Sequence, residues 1–158
     1  MMRFIFCFLL LHFLKQADAQ RVVTFDPDKD VVAERALSGA LELTKPVRAL
    51  AFSIQEAIPQ ITDIDTIITL SIGKLHFLFA RGKQIDQREQ SFNLGILLTE
   101  VLPGKFHADQ LVISCKSSGN CNECTLTPAC ACTRGSGSCT QNYTFSGAMK
   151  KVTVTLFD

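Results

Sequence analysis

The stretch CKSSGNCNECTLTPACACTRGSGSC, residues 115–139, decides what kind of protein this is. It holds six of the seven cysteines of the 158-residue chain, and no loop between two of them exceeds six residues. Gly, Ser, Thr and Pro dominate the loops. Because segments so short and polar cannot bury a core, covalent bonds must hold them together. We therefore predict three disulfides among Cys115, Cys121, Cys124, Cys130, Cys132 and Cys139.

The N-terminus predicts that the chain enters an oxidising compartment. Arg3 precedes an apolar run at 4–14, and Ala17-Asp18-Ala19 has the small-x-small pattern of a cleavage site. The run is too short to cross a hydrocarbon layer of ~30 Å. We interpret 1–19 as a signal peptide, whose removal also discards Cys7 and leaves an even number of cysteines. The mature chain is expected to be secreted and extracellular, without a membrane span, or held at a cell surface through a partner.

Charge and histidine content argue against several function classes. Loss of Arg3, Lys15 and Asp18 takes Lys+Arg from 16 to 14 and Asp+Glu from 15 to 14, so the mature chain is neutral. A neutral chain lacks the basic surface of a nucleic-acid binder or of a protein held on anionic lipid. The mature histidines, His76 and His107, lie on segments of opposite polarity, and no catalytic motif accompanies them. We expect no enzymatic activity and no cofactor.

Two other uses of the cysteines compete with disulfides. Cys121-x2-Cys124 followed by Cys130-x-Cys132 would supply four thiolates to a zinc ion, and Cys121-x2-Cys124 alone would suit redox chemistry. The export signal and the additional cysteines at each end favour disulfides, so no metal site is predicted. Spacing alone does not decide which cysteines pair.

The cysteine order and the one-residue spacer Cys130-Ala131-Cys132 resemble a compact, divergent EGF-like module over 115–139. The resemblance implies bonds Cys115–Cys124, Cys121–Cys130 and Cys132–Cys139. It does not imply calcium binding, because Leu-Val-Ile-Ser rather than an acidic motif precedes the first cysteine. EGF-like modules occur in receptor ligands, in matrix proteins and in adhesion, including contacts between gametes.

Hydrophobic periodicity predicts helices first and strands later. An acidic start at Asp26-Pro-Asp-Lys-Asp30 is expected to cap a helix over 31–43. A second apolar stripe, from Val47 to Ile58, has the spacing of an amphipathic helix that ends at Pro59. Alternating apolar residues then predict strands, at 66–72, 75–79, 92–98, 111–115 and 152–156. One continuous buried helix over 61–79 is the alternative, because periodicity does not separate short apolar runs.

We therefore expect an α+β protein with N-terminal helices followed by an antiparallel β region and a small disulfide-rich module. The predicted divisions are a signal peptide at 1–19, a helical and β globular region at 20–110, the EGF-like module at 111–145 and a C-terminal strand at 146–158.

Recognition of another protein is the function that this organisation favours. A stapled module presents rigid loops at low ordering cost, so we expect the chain to bind a cell-surface receptor or another extracellular protein. The predicted binding loops are 116–120 and 133–138, with Lys116 and Arg134 as the binding residues. Asn142-Tyr143-Thr144 is a sequon, which predicts N-glycosylation of Asn142.

Two alternatives stay open at this point. The cysteine-rich segment would be a protease inhibitor or defence peptide if 20–110 were a pro-segment. Alternatively, residues 20–110 would form a carrier for an apolar ligand, with Phe77, Phe79 and Phe92 lining its cavity.

Overall fold

The computed structural model describes residues 20–85, 87–126 and 129–157. The predicted signal peptide lies outside these residues. The described chain forms one helix and eleven strands: β1 Gln20–Phe25, β2 Ala33–Arg35, β3 Leu41–Leu43, α1 Val47–Ala57, β4 Ile61–Ile72, β5 Leu75–Gln84, β6 Gln87–Leu102, β7 Lys105–Ser118, β8 Cys121–Thr125, β9 Ala131–Gly135, β10 Ser138–Thr144 and β11 Val152–Phe157.

A seven-stranded antiparallel sheet forms the body of the protein. Its order is β3-β2-β7-β6-β5-β4, and β10 pairs with the part of β7 that β2 does not reach. Strands β1 and β11 form a separate ladder, and β8 and β9 form a hairpin. The main sheet curls until its edge strands β3 and β4 approach each other. Thr69 Oγ1 donates a hydrogen bond of 2.7 Å to the carbonyl oxygen of Leu41 across that gap.

Strand alternation gives the main sheet two different faces. We call the inner face the one that carries Leu78, Leu94, Ile96 and Val112, which pack with α1 into one hydrophobic core. The outer face carries the intervening residues, and its register pairs Phe79 with Gly95 and Gly95 with Ile113. The hairpin β8–β9 lies on this outer face.

Helix α1 begins directly after Pro46, where the second apolar stripe predicted it. Leu50 and Ile54, one turn apart, are fully buried against the sheet. Between them Ser53 donates to the carbonyl oxygen of Lys150, and the Lys150 amide donates to Ser53 Oγ at 3.0 Å. The helix thus connects the core to the chain that leads into β11.

The expectation of N-terminal helices is wrong, and with it the α+β assignment. The described residues are mostly β, with a single short helix among them. Residues 31–43 instead form β2 and β3, joined by a turn in which Gly39 has a φ of +85°. The Val32 amide donates to the carbonyl oxygen of Phe106 at 2.8 Å, so pairing with β7 overrides a weak helical pattern. The strands predicted beyond Pro59 are confirmed in β4, β5, β6, β7 and β11.

The acidic run at 26–30 caps no helix but builds the turn that follows β1. The carbonyl oxygen of Asp26 accepts hydrogen bonds from the amides of Lys29 and Asp30. Asp30 in turn accepts from the Asp26 amide at 2.8 Å and from Lys45 Nζ at 2.9 Å. Partial burial opposes the charged form, but these hydrogen bonds and the Lys45 charge outweigh it and lower the pKa of Asp30.

Replacing Asp30 with Asn is expected to remove an acid-sensitive part of the stability. Because folding lowers the pKa of Asp30, its charge stabilises the fold above about pH 4, and this is lost as the pH falls through the folded-state pKa. Asp30→Asn should lower the free energy of unfolding at pH 7 by about 1 kcal/mol, the scale of a half-exposed ion pair. Denaturant titrations across this pH range measure the difference, which should shrink in acid.

The matched control is Asp28→Asn, because no side-chain hydrogen bond or ion pair of Asp28 occurs within residues 20–85, 87–126 and 129–157. This variant should match the parent in free energy of unfolding at pH 7. A deficit of Asp30→Asn that persists unchanged in acid would contradict the assignment.

Candidate functional site

Three disulfides fasten the cysteine-rich segment to the main sheet and to itself. Two of them join the hairpin segment to the sheet, one ending at Cys115 on β7 and the other at Cys139 on β10. The third joins β8 to β9. Sγ of Cys121 lies 3.8 Å from that of Cys124 and 3.6 Å from that of Cys139, so two of the bonds pack against each other. The pairs are Cys115–Cys130, Cys121–Cys132 and Cys124–Cys139.

This connectivity differs at every bond from the one that the EGF-like resemblance implied. The reason is the position of the end cysteines within the sheet. The side chain of Cys115 lies beneath the hairpin, against the chain that enters β9, and Cys139 reaches β8 from β10. The resemblance itself stays a prediction about cysteine order. In the structure all six sulfurs are paired in disulfides.

The predicted division at 110/111 falls inside β7, which runs without interruption from Lys105 to Ser118. Strands β7 and β10 are therefore at once part of the cysteine-rich segment and part of the main sheet. The hairpin β8–β9 is the portion that stands apart from the sheet and covers its outer face.

Buried polar side chains on β6 hold the hairpin to the outer face. Asn93, which is 1% exposed, donates through Nδ2 to the carbonyl oxygen of Cys124 at 2.7 Å. Ser91 Oγ accepts from the Cys124 amide at 2.8 Å and lies 2.9 Å from Ser117 Oγ. Both backbone groups of Cys124 are thus paired with side chains of β6, as a buried peptide group requires.

Two glutamines continue this network to the turn between β7 and β8. Gln84 Nε2 donates to the carbonyl oxygen of Ser117 at 2.9 Å and to Gln90 Oε1 at 3.2 Å. Gln90 Nε2 donates to the carbonyl oxygen of Gly119 at 2.7 Å. Both glutamines are buried, so the network fixes the position of the hairpin as well as its attachment.

Gly137, near the end of the cysteine-rich segment, lets its own backbone pack closely against the backbone of Ser118 and Cys121. A Cβ on Gly137 would overlap the backbone nitrogen of Cys121 and the carbonyl oxygen of Ser118. The Gly-Ser-Gly run that leads from β9 to β10 is therefore a packing requirement at this point rather than a flexible linker.

On one side of the hairpin lies a charged cleft of about 280 Å³. Arg81 occupies its floor, with Nε 3.1 Å from Asp65 Oδ1 and Nη1 3.6 Å from Glu123 Oε1. Burial opposes ionisation of Asp65, but hydrogen bonds from Thr66 and Arg81 outweigh this and lower the pKa of Asp65. The cleft also contains Lys83 and Arg134, which form no direct ion pair in the described part of the chain, although the charge of Lys83 also helps to lower the pKa of Asp65.

Near Leu126, which follows β8, lies an apolar cleft of about 150 Å³. Its wall is the outer face of β4 to β7 together with Leu126, and Gly95 lies beneath that leucine, where a Cβ would come within 3.0 Å of Leu126 Cδ2. The aromatic ring of Tyr143 borders the cleft and is 61% exposed. The lining residues are Leu70, Ile72, Phe77, Phe79, Gly95, Ile113, Leu126, Gln141 and Tyr143.

The two clefts belong to one surface because alternate residues of β5 line both. Phe77 and Phe79 line the apolar cleft, and Arg81 and Lys83 line the charged one. Beyond them, Ile68, Ile72 and Leu75 leave 47%, 47% and 54% of their surface exposed on the same face. We call the surface formed by the linings of both clefts, together with Ile68 and Leu75, the recognition face.

The structure separates the residues that the sequence singled out. Arg134 lies on the recognition face, whereas Lys116 and Asn142 alternate with Cys115 and Cys139 and so point to the opposite side of the sheet. Phe92 belongs to the core of the inner face, away from Phe77 and Phe79. Asp65 and Arg81 of the charged cleft and Leu126 of the apolar cleft were not predicted, because the residues around them in each cleft are distant in sequence.

A serine–histidine pair outside the recognition face has the wrong polarity for catalysis. His76 Nδ1 lies 2.8 Å from Ser71 Oγ, and His76 Nε2 lies 3.3 Å from Arg35 Nη2. Because a guanidinium only donates, Nε2 must accept and Nδ1 must carry the proton. The serine then accepts a hydrogen bond from the imidazole instead of giving up its own proton, so the pair does not activate a nucleophile.

None of the helices in the described residues has the length and apolar character needed to cross a membrane. Comparison with protein-family models, with curated proteins and with solved structures yielded no match.

Replacing Asn93 with Leu tests the attachment of the hairpin. The substitution keeps the number and branching of the side-chain heavy atoms but leaves the carbonyl oxygen of Cys124 without its donor, so the free energy of unfolding of the oxidised protein should fall by about 1–3 kcal/mol. Asn122→Leu, at an exposed position of the hairpin, is the control and should change stability by less than about 0.5 kcal/mol. Equal effects of the two variants in denaturant titrations would contradict the role of Asn93.

Disulfide mapping should recover the connectivity of the structure. Digestion with trypsin is combined with cleavage after Glu123 and after Leu126. Together these cuts separate Cys124 from Cys130 and Cys132. The Cys124 peptide should then be linked to the Cys139 peptide. The EGF-like pairing would link it to the Cys115 peptide, so mass spectrometry of the unreduced digest distinguishes the two.

Proposed function

We propose that this chain is a secreted extracellular recognition protein that binds a protein on the cell surface through the recognition face. The observation that carries the proposal is the continuity of an apolar and a charged cleft along β5, beside a hairpin held by disulfides. Protein interfaces combine an apolar centre with a polar rim in this way. Exposed apolar side chains grouped on one face of a sheet are typical of interaction sites.

The charges of the recognition face favour an acidic partner. Within the charged cleft the carboxylates of Asp65 and Glu123 are engaged by Arg81, which leaves the cations of Lys83 and Arg134 available. We infer that the partner places an acidic group against these two cations. An adjacent apolar side chain of the partner would enter the cleft bordered by Tyr143 and Leu126.

Rigidity supports the same proposal. The hairpin is fixed by three disulfides and by hydrogen bonds from Ser91 and Asn93, so it does not need to become ordered when a partner binds. A preorganised surface loses less conformational entropy when it binds, so less of the favourable interaction energy is offset.

The alternative functions receive less support. Release of the cysteine-rich segment from a pro-segment ending at 110 would cut β7 and disrupt its long ladder with β6. The apolar cleft, at about 150 Å³, is smaller than the ~300–1,000 Å³ of typical ligand pockets. It suits a single side chain of a protein partner better than a carried lipid.

The test measures binding of the fluorescently labelled mature chain, 20–158, to a panel of intact cells. Two double variants alter the recognition face: Lys83→Glu with Arg134→Glu, and Ile72→Ser with Leu75→Ser. Each should weaken binding by about tenfold or more, because loss of a central contact at an interface costs over 1 kcal/mol. Treatment of the cells with protease should abolish binding by the parent chain.

The controls make equivalent changes elsewhere on the surface. Arg21→Glu with Lys116→Glu reverses two exposed charges away from the recognition face, and Val22→Ser with Leu37→Ser removes two exposed apolar side chains. Both controls should bind like the parent. Absence of binding to every cell type, binding that survives protease treatment, or equal losses in variants and controls would overturn the proposal.

A further inference from the structure

The side chain of Asn142 is presented as an acceptor for modification. Asn142 and Thr144 belong to the sequon and are both exposed on β10. The side-chain amide of Asn142 makes no hydrogen bond within the residues that the structure describes. Its Nδ2 atom is therefore free to carry a substituent without loss of a contact.

Next to Asn142 lies a groove of about 310 Å³ on the inner-face side of the sheet, beside the end of α1. Its apolar lining comprises the partly exposed Ala57 and Ile58, above the buried side chains of Phe92, Leu94 and Val112. Its rim is polar, with the amide of Gln60 and the hydroxyls of Ser114 and Ser146. The volume equals that of about ten waters at ~30 Å³ each, the scale of one sugar ring.

We propose that Asn142 carries an N-linked glycan whose first sugar lies in this groove. An amphipathic sugar fits it, because the ring's C–H face would cover the partly exposed Ala57 and Ile58 while its hydroxyls and acetamide would meet the polar rim. The inference needs only that the chain is exported, and it is independent of what the recognition face binds.

The modification is a group transfer from a lipid-linked oligosaccharide diphosphate. Nδ2 of Asn142 bonds to the anomeric carbon of the first N-acetylglucosamine as the bond from that carbon to the diphosphate oxygen breaks. The lipid diphosphate leaves with the electron pair of the broken bond, and the amide proton passes to the transferase. The Thr144 hydroxyl completes the acceptor sequence.

The proposed glycan also divides the surface of the protein. On β10 the side chains of Asn142 and Thr140 alternate with those of Cys139, Gln141 and Tyr143, and Thr140 pairs with Lys116. The glycan would therefore cover the side of the sheet that carries Lys116. The recognition face, with Tyr143, lies on the other side and stays open.

The experiment expresses the full chain in a eukaryotic secretory cell and measures the intact mass before and after peptide:N-glycosidase F. The parent and Thr144→Ser should lose a glycan, because Ser preserves the sequon. Asn142→Gln and Thr144→Val should be secreted without one. No mass loss in the secreted parent would overturn the modification.

Native release rates test whether the first sugar is sheltered. The control is Val22→Asn with Asn142→Gln, which creates the sequon Asn-Val23-Thr24 at an exposed position of β1. The glycan on Asn142 should be released at least about tenfold more slowly from the native protein than the control glycan, and equally fast after denaturation. Equal native rates would overturn the location in the groove while leaving the modification intact.

Discussion

Cys124 is held at its amide, its carbonyl and its sulfur, and the rest of the site depends on this attachment. Ser91 accepts from the amide, Asn93 donates to the carbonyl oxygen and Cys139 bonds the sulfur. A hairpin laid on a sheet buries peptide groups that water would otherwise solvate, and each unpaired group would cost about 1–3 kcal/mol. The polar residues of β6 remove that cost, so the sheet and the cysteine-rich segment form one structure.

The position of the hairpin explains why both clefts occur where they do. The outer face of β5 changes from aromatic to basic along its length, and the hairpin stands beside the change. Leu126 closes the apolar part, whereas Glu123 and Arg134 close the charged part. Without the hairpin the same side chains would form a flat, open surface. The disulfides therefore shape the recognition face, although no cysteine lines either cleft.

Sequence reasoning identified what depends on local pattern and missed what depends on pairing across the sheet. The stripe of α1 and the alternation in β4 to β7 are local, and both predict the structure. Residues 31–43 carry a helix-compatible pattern, but the carbonyl oxygen of Phe106, distant in sequence, accepts a hydrogen bond from the amide of Val32, directly before β2. The disulfide connectivity was not predicted for the same reason, because the position of Cys115 depends on how β7 pairs with its neighbours in the sheet. Asp65 and Arg81 form a cleft with Glu123 only once β4, β5 and β8 are assembled.

Because side chains alternate along β10, the two sides of the sheet carry different sites. Odd-numbered residues of β10 face the hairpin, and the even-numbered ones, including Asn142, face the groove beside α1. A one-residue shift of β10 against β7 would move Cys139 away from Cys124 and turn Asn142 toward the recognition face. The Cys124–Cys139 bond forbids that shift. The disulfide therefore fixes the register on which both the open face and the proposed glycan depend.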